Sequence, residues 1–256
     1  QVTKRDGSKE AIDLEKLHKV AFYACEGING VSPSQVEMKS NLHFYNGITT
    51  DDIQETLIKS ASELIEEDAP NYQWVAGRLI VYHLRKQVYD SFEPWHILKL
   101  ITRNVDEGWY DPALLTEYTA SEWDELNDYI KHERDQDFTY AAMEQWRGKY
   151  LVQNRVTGQK LETPQMAYML IAATLFGSYD KETRLKWVKD YCDAISTFDI
   201  SLPAPVMAGV RTPQRQFSSC VLIETGDSLD SINATTSSIV KYVSQKAGIG
   251  IGAGSI

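Results

Sequence analysis

A single thiol in the last fifth of the chain is the residue best suited to chemistry. Cys220 lies in the run Phe217–Glu224, whose apolar residues and closing Gly226 predict a short buried strand. Spacing alone favours a thiol that is only a small hydrophobic group. Asp227 follows where a helix should begin, so its carboxylate could cap free backbone N–H groups or accept from a bound hydroxyl.

A second set of side chains could bind phosphate. An arginine can give paired, charge-assisted hydrogen bonds to a phosphate, and lysines add point charges. Glu10 and Asp13 could then accept from a base and a ribose. The alternative is a solvated charged face, in which Arg85 and a neighbouring lysine complement a helix C-terminus, and the residues alone favour it. The cations that could converge on a triphosphate are Lys4, Arg5, Lys16 and Lys86.

Composition restricts the class of protein. The 256 residues are 43% hydrophobic and 24% charged, as in ordinary soluble proteins, and the net charge of −10 argues against a nucleic-acid surface but not against nucleotides. The three cysteines are too scattered for a disulfide scaffold or a zinc site, so we expect no metal site and a reducing, cytoplasmic setting. No run of 18 apolar residues occurs, so we expect no membrane span.

The first 90 residues predict a hairpin on a helical bundle. Asp6-Gly7 is a strong turn signal within Val2–Ile12, and Asp13 should cap a helix to about Cys25 whose apolar face includes Leu14. Thr49 begins a pattern that resembles a capping box. Further helices are predicted over 34–43, from Thr49 or Thr50 onward, and over 71–89.

The rest of the chain predicts a helical layer and a final strand–helix pair. The run 149–159 predicts a strand and turn, the two prolines in 200–210 exclude a helix, and the glycines of 248–254 are a weak phosphate-loop signal. We expect the segment 131–135, which contains one histidine, to be a solvated helix end. We expect the tryptophans to lie in the hydrophobic core. Helices are predicted over 95–107, 111–117, 121–130, 140–147, 164–176, 181–197 and 231–247, the last with a buried stripe of Ile232, Ile239, Val240 and Val243.

Two longer strings resemble a known family. Arg211-Thr-Pro-Gln-Arg-Gln-Phe-Ser-Ser-Cys-Val-Leu-Ile-Glu-Thr-Gly-Asp-Ser-Leu229, followed by Ala247-Gly-Ile-Gly-Ile251, closely resembles the start of the catalytic barrel in the large subunit of class I ribonucleotide reductases. Val2-Thr-Lys-Arg-Asp-Gly-Ser-Lys-Glu10, Ile12-Asp-Leu-Glu-Lys16 and His83-Leu-Arg-Lys86 resemble the ATP-cone, a nucleotide-sensing module of that family. A glycyl-radical or cobalamin-dependent reductase fits these strings less well.

The resemblance implies a fold and a division into domains. The fold is mainly α with a small β hairpin, followed by the first strand and helix of a ten-stranded α/β barrel. Residues 1–90 would be the ATP-cone, 91–215 a helical domain and 216–256 the incomplete start of the barrel.

The resemblance also implies site residues. Cys220 matches the first of two reducing thiols, Ser219 matches a substrate contact, and Ala204 replaces a family threonine whose backbone approaches the substrate diphosphate. An allosteric specificity site for a deoxynucleoside triphosphate would use Asp227, Ser228 and Leu229 at a dimer interface. An activity site for ATP or dATP would use Val2, Lys4, Arg5, Glu10, Asp13, Lys16, Thr50, Gln54, His83 and Lys86.

The implied activity is reduction of ribonucleoside diphosphates by thiyl-radical chemistry. The radical would come from a metal-containing small subunit, and thioredoxin or glutaredoxin would reduce the cysteine pair. The chain itself would hold no redox cofactor, only ATP, dATP and other deoxynucleotide effectors with Mg²⁺. Since the radical cysteine and second reducing thiol have no match, we expect a split or truncated large subunit, homodimeric and completed by a second chain. The alternative is a nucleotide-sensing regulatory module without catalytic activity.

Overall fold

The computed structural model describes residues 1–41, 43–245 and 247–256, and its main element is the α-helix. Contacts divide the chain into two compact units. Unit 1 comprises Gln1–Leu100 and Asp124–Ala167, and unit 2 comprises Ile101–Trp123 and Tyr168–Ile256. Residue 42 belongs to the helix predicted over 34–43, and residue 246 belongs to the helix predicted over 231–247. Both residues lie outside the described part of the chain.

A small sheet opens unit 1. Strand β1 (Val2–Thr3) pairs antiparallel with β2 (Lys9–Glu10), which confirms the predicted hairpin, and parallel with β3 (Ile48–Thr49). Gly7 takes a φ of 82° in the turn, a conformation that glycine adopts at little cost. The sequence did not predict β3, because two residues immediately before a helix carry no strand periodicity.

Twelve α-helices follow in the described chain, and local chemistry sets several of their ends. Asp13 accepts from the backbone N–H groups of Glu15 and Lys16, and Thr49 accepts from that of Asp52, so both predicted caps are confirmed. The helices are α1 Leu14–Cys25, α2 Pro33–Asn41, α3 Thr50–Ser62, α4 Tyr72–Tyr89, α5 Ile97–Asp106, α6 Ala113–Glu117, α7 Ala120–Tyr129, α8 Tyr140–Gln145, α9 Pro164–Phe176, α10 Arg184–Ser196, α11 Ala204–Gly209 and α12 Leu229–Ser244.

Helix α4 is the central helix of unit 1. Leu79, Ile80 and Leu84 are at most 2% exposed. Gly77 packs against backbone: a Cβ built on it would lie 2.1 Å from the carbonyl oxygen of Phe138. The long helix therefore contacts both the N-terminal bundle and the segment after residue 131. Unit 1 extends beyond the domain predicted over residues 1–90. The predicted division into three domains stays a prediction.

The segment predicted to be a solvated helix end contains one fully buried carboxylate, although Lys131 and Glu133 are exposed. Residues His132–Asp137 form a 3-10 turn in which Asp135 is 0% exposed, and its Oδ1 accepts from the backbone N–H of Gln165, at the start of α9. Arg85 of α4 donates to the backbone oxygen of His132 and lies 3.9 Å from Asp135. Burial raises the pKa of Asp135 to about 7, against the opposing charge of Arg85. The prediction was wrong for Asp135 because tertiary packing, which spacing cannot show, covers that side chain.

A buried ion pair fixes the start of α10 in unit 2. Arg184, 2% exposed, donates from Nε to Glu122 over 2.9 Å, and its guanidinium lies 4.3 Å from the ring centroid of Tyr118. Trp123 is buried as predicted, whereas Trp187 is 46% exposed, so its assignment to the core was wrong. Its indole lies on an outward face of α10, where long amphipathic side chains are tolerated.

Unit 2 ends in a strand–helix–strand element. Strand β4 (Cys220–Gly226) pairs parallel with β5 (Gly248–Ser255), and α12 connects them. The glycines of 248–254 thus form a strand, not a phosphate loop. β4 was predicted to be buried, yet Leu222 is 87% exposed, because in the described chain it has one strand neighbour and one covering helix. No closed barrel forms among the described residues.

Three further helix predictions need correction. The prolines of 200–210 do not exclude a helix, since Pro203 precedes α11 and Pro205 lies in its first turn, where no intrahelical N–H is needed. The apolar stripe predicted on α12 is largely exposed, with Val240 at 64% and Val243 at 53%. Leu14, expected on the buried face of α1, is 60% exposed.

The segment after α8 differs from its predicted structure. The predicted strand at 149–159 is reduced to one bridge between Gln153 and Lys160. Residues Trp146–Tyr150 instead form a π-turn, a widened helical turn that follows α8. Among the described residues, no helix is both long and apolar enough to cross a membrane.

Candidate functional sites

The guanidinium of Arg5 joins the hairpin to two helices. Its Nε and Nη2 donate to Asp51 Oδ1 over 3.1 and 2.8 Å, and its Nη1 donates to the backbone oxygen of Lys86 over 2.9 Å. Asp51 lies in the first turn of α3 and Lys86 in the last turn of α4. A cation therefore lies beside the N-terminus of α3, whose free N–H groups favour anions. We call Arg5, Asp51 and Lys86 the Arg5 cluster.

Other predicted contacts of the activity site surround this cluster. Thr50 is the first residue of α3, next to Asp51, and Gln54 lies one turn later; both are half-buried. Val2 is 4% exposed and pairs with Ile48, so it fixes the sheet. The Lys86 ammonium lies 4.2 Å from the ring centroid of Phe92.

Two predicted cations are paired with acids nearby. Lys4 Nζ lies 2.9 Å from Glu10 Oε2, and this hydrogen bond raises the pKa of Lys4 above its ordinary value. Lys16 Nζ lies 3.4 Å from Asp13 Oδ2 at the start of α1. In the described part of the chain, no hydrogen bond or ion pair joins the Asp13–Lys16 pair to the Arg5 cluster. The structure thus brings some of the predicted residues together and leaves this pair apart.

His83 is buried between two carboxylates of α3. It is 3% exposed, with Nδ1 3.9 Å from Asp51 Oδ1 and Nε2 3.5 Å from Glu55 Oε1. Its Nε2 also lies 2.8 Å from Gln87 Nε2. Burial lowers the pKa of His83 below its ordinary value, although both carboxylates oppose this, so the imidazole is neutral at neutral pH.

Cys220 begins β4, where it is accessible. The thiol is exposed, and Ser219 Oγ lies 3.8 Å from its sulfur. The other two cysteines are buried, as predicted, and burial raises the pKa of Cys25 to about 11. The chain therefore has one thiol that a reagent or substrate can reach. Ala204, a predicted substrate contact, is the first residue of α11.

The predicted specificity site lies at the start of α12. Ser228, rather than Asp227, is the cap: its Oγ accepts from the backbone N–H of Ser231 over 3.1 Å. Ser231 in turn accepts from the backbone N–H of Gly226 through its own hydroxyl, over 2.8 Å. Asp227 and Leu229 are exposed, so the Asp227 carboxylate remains available to a ligand.

Sequence comparison matches two parts of the chain to described families. Residues 1–87 match the ATP cone domain, and residues 136–215 match the all-alpha domain of ribonucleotide reductase. The chain is 58% identical over 255 residues to ribonucleoside-diphosphate reductase 1 subunit alpha of Escherichia coli (strain K12), which covers 100% of this chain and 34% of that protein. The chain belongs to the class I ribonucleotide reductase large-subunit family.

More distant reductase subunits match as well. The subunit alpha of Enterobacteria phage T4 is 47% identical over 255 residues, covering 100% of this chain and 34% of its own length. That of Helicobacter pylori (strain ATCC 700392 / 26695) is 33% identical over 231 residues, covering 90% of this chain and 29% of its own. The chain therefore spans about a third of the length of the curated reductases and corresponds to their N-terminal portion.

Some polar neighbours of the cone were not predicted. Asp51 and Glu55 lie four residues apart on α3, as do His83 and Gln87 on α4, and this spacing could have indicated that each pair shares a helix face. Arg147 bonds Glu55 from 92 positions further along the chain, and no local signal predicts that contact.

Proposed function

We propose that this chain is the N-terminal part of a ribonucleotide reductase that converts ribonucleoside diphosphates to deoxyribonucleoside diphosphates, with its cone sensing ATP and dATP. The observation that carries the proposal is the Arg5 cluster, where one guanidinium lies between the start of α3 and the end of α4. The match of residues 1–87 to the ATP cone domain supports it.

The energetics of the cluster favour exchange of a carboxylate for a phosphate. The side chains of the Arg5–Asp51 pair are 35% and 46% exposed, and those of Lys4–Glu10 are 39% and 43% exposed. Exposed ion pairs of this kind contribute little to stability. A triphosphate, accompanied by Mg²⁺, can therefore displace the carboxylates at small cost and gain stronger paired bonds from Arg5.

Equilibrium binding tests the sensing function. Labelled ATP and dATP, titrated with Mg²⁺ into the 256-residue chain, should bind, and Arg5→Gln should weaken binding roughly tenfold or more, as expected for loss of charge-assisted bonds. Arg155→Gln, which removes an exposed cation elsewhere in unit 1, is the matched control and should bind like the wild type. Absence of nucleotide binding by the wild type would refute the sensing function.

We assign the catalytic contribution of the chain to Cys220. In the proposed reaction a thiyl radical formed in the complete enzyme removes the 3′ hydrogen of the ribose and returns it in the last step, and the 2′-hydroxyl takes a proton from one of the reducing thiols and leaves as water. Cys220 and a second thiol supply two electrons and become a disulfide, which thioredoxin or glutaredoxin reduces. The exposed Cys220 thiol is compatible with this exchange. Ser219 and the backbone at Ala204 would contact the substrate.

The remaining partners follow from the same proposal. A metal-containing small subunit would supply the radical, and the rest of the barrel would come from the part of the large subunit that this sequence does not include. Two copies of the large subunit would form a dimer in which Asp227, Ser228 and Leu229 contact a deoxynucleoside triphosphate, with the phosphates favoured by the N-terminus of α12.

Reconstitution separates catalysis from sensing alone. The chain, mixed with a complementary barrel chain and the small subunit, should reduce CDP with thioredoxin, and Cys220→Ser should abolish that turnover. If Cys220→Ser left turnover intact, a nucleotide-sensing module without catalytic activity would be the better interpretation. Turnover by the 256-residue chain alone would overturn the proposal that catalysis needs the rest of the barrel.

A further inference from the structure

A line of polar side chains leads from the Arg5 cluster to the π-turn that follows α8. Arg5 donates to Asp51, whose Oδ1 lies 3.9 Å from the buried imidazole of His83. On the other side of that ring, Glu55 Oε1 lies 3.5 Å from Nε2. Glu55 is held in turn by Arg147. The contacts are continuous from the proposed nucleotide site to a residue that follows α8.

Arg147 is bidentate to two glutamates at once. Its Nη1 and Nη2 donate to the two oxygens of Glu55 over 2.7 and 3.2 Å. Its Nε and Nη2 donate to the two oxygens of Glu144 over 3.1 and 2.7 Å. Glu144 lies on α8 and Arg147 in the π-turn Trp146–Tyr150. We call Glu55, Arg147 and Glu144 the Arg147 clamp; it fastens α3 to α8 and the π-turn.

Occupancy of the Arg5 cluster must change the charge that this clamp experiences. Asp51 and Glu55 lie four residues apart on α3, where like charges repel. Arg5 balances Asp51, and Arg147 balances Glu55, while the buried His83 between them stays neutral. A triphosphate that draws Arg5 away leaves Asp51 negative and adds charge of its own, so Arg147 becomes the main cation that stabilises this face of α3.

We propose that the Arg147 clamp couples nucleotide occupancy of the cone to helix α8 and the π-turn, and so carries the regulatory signal out of the cone. This inference rests on the proposed nucleotide site. Because coupling is reciprocal, a clamp that tightens when nucleotide binds must also strengthen nucleotide binding. A π-turn is a widened helical segment often found at functional sites, and it is the element whose ordering the clamp would alter.

The test measures both directions of the coupling on the 256-residue chain. Hydrogen exchange of the amides of residues 140–150 should slow when ATP or dATP with Mg²⁺ saturates the wild type. The side chain of Arg147 does not touch the Arg5 cluster. Arg147→Met should nevertheless weaken nucleotide binding about fivefold to tenfold, within the usual range of allosteric coupling, and should abolish the slowing of hydrogen exchange by nucleotide. Arg155→Gln is the matched control and should change neither measurement.

A double-mutant cycle distinguishes coupling from general damage. Glu55→Gln removes the charge that Arg147 balances, so Arg147→Met should have little further effect on affinity in the Glu55→Gln background. Glu144→Gln weakens only the contact between Glu144 and Arg147. It should preserve nucleotide affinity better than Arg147→Met does, and it should still reduce the protection of the amides of residues 140–150 from hydrogen exchange. These milder variants keep the test informative if Arg147→Met unfolds.

The outcomes separate this inference from the function on which it rests. If the wild type binds no nucleotide, the proposed sensing function fails and the coupling fails with it. If the wild type binds nucleotide but exchange at 140–150 is unchanged, the coupling is overturned and the nucleotide site stands. Equal affinities of wild type and Arg147→Met, or additive effects in the cycle, would also overturn the coupling.

Discussion

Replacing Gly77 with alanine tests the packing of α4, because two opposing effects can be compared. In an exposed helix interior, Gly→Ala stabilises by about 1 kcal/mol. At Gly77, however, the new Cβ would lie 2.1 Å from the carbonyl oxygen of Phe138 and 3.0 Å from the carbonyl carbon of Thr139. Both are backbone atoms, so no side chain can rotate away, and α4 and the 138–139 segment must separate by about 1 Å to restore ordinary contact.

The magnitude follows from that displacement. Overpacking a close-packed interior costs typically 1–3 kcal/mol, and a fixed backbone obstacle belongs at about 3 kcal/mol. Subtracting the helix gain of about 1 kcal/mol leaves a net loss of about 2 kcal/mol. For a chain of this size, that corresponds to a fall in Tm of about 4–8 °C.

The assay is thermal unfolding of the wild type, Gly77→Ala and a matched control. Gly148 lies in the π-turn, is exposed, and a Cβ on it would meet nothing within 4 Å. Gly148→Ala should therefore leave Tm unchanged or raise it slightly. If Gly77→Ala raised Tm as well, helix propensity would dominate, and the close approach of α4 to Phe138 would be refuted.

Three further predictions concern buried charge and the exposed thiol. Asp135 has a pKa of about 7 in the folded chain, against an ordinary value of 3.8. Between about pH 4 and pH 7 the folded state therefore keeps a proton that the unfolded state releases. The contribution of Asp135 to the free energy of unfolding thus falls as the pH rises through this range. Asp135→Asn should then exceed the wild type in stability at pH 8 and lose that advantage near pH 4, by urea unfolding; a pH-independent difference would contradict the burial. Arg184→Met should destabilise by about 3 kcal/mol because it leaves Glu122 without its cation, and adding Glu122→Gln should restore part of the loss in the same assay. Iodoacetamide should alkylate Cys220 in the native chain and the other thiols, such as Cys25, only after denaturation; slow labelling of Cys220 would show that β4 is covered.

The sequence predicted those elements whose determinants are local. The hairpin depends on the Asp6-Gly7 turn, and the starts of α1 and α3 depend on hydroxyl or carboxylate caps one to three residues away. Helix α9 was predicted with the bounds observed, since a proline begins a mostly apolar run. Such signals are complete within a few residues, so no tertiary information is needed to interpret them.

The features that were missed depend on distant residues. Strand β3 exists because β1 pairs with it across more than forty positions, and Arg147 meets Glu55 across 92. Asp135 is polar in sequence and buried in structure because α4 and the start of α9 cover it. For the candidate sites, the family strings supplied the candidate side chains, but the pairing of Arg5 with Asp51, 46 positions away, required the fold.

Helix α4 contributes both to the proposed nucleotide site and to the packing of unit 1. Its last turns carry His83 and Lys86 beside the Arg5 cluster, whereas Gly77, six residues before His83, packs against the backbone at Phe138. A helix held so closely at one point cannot shift freely at the other, because close-packed interiors transmit displacement instead of absorbing it. The charge of a nucleotide at the proposed site would therefore act on α3 against a fixed α4, and the Arg147 clamp, which holds α3 at Glu55, one turn after Asp51, is where that force would be balanced.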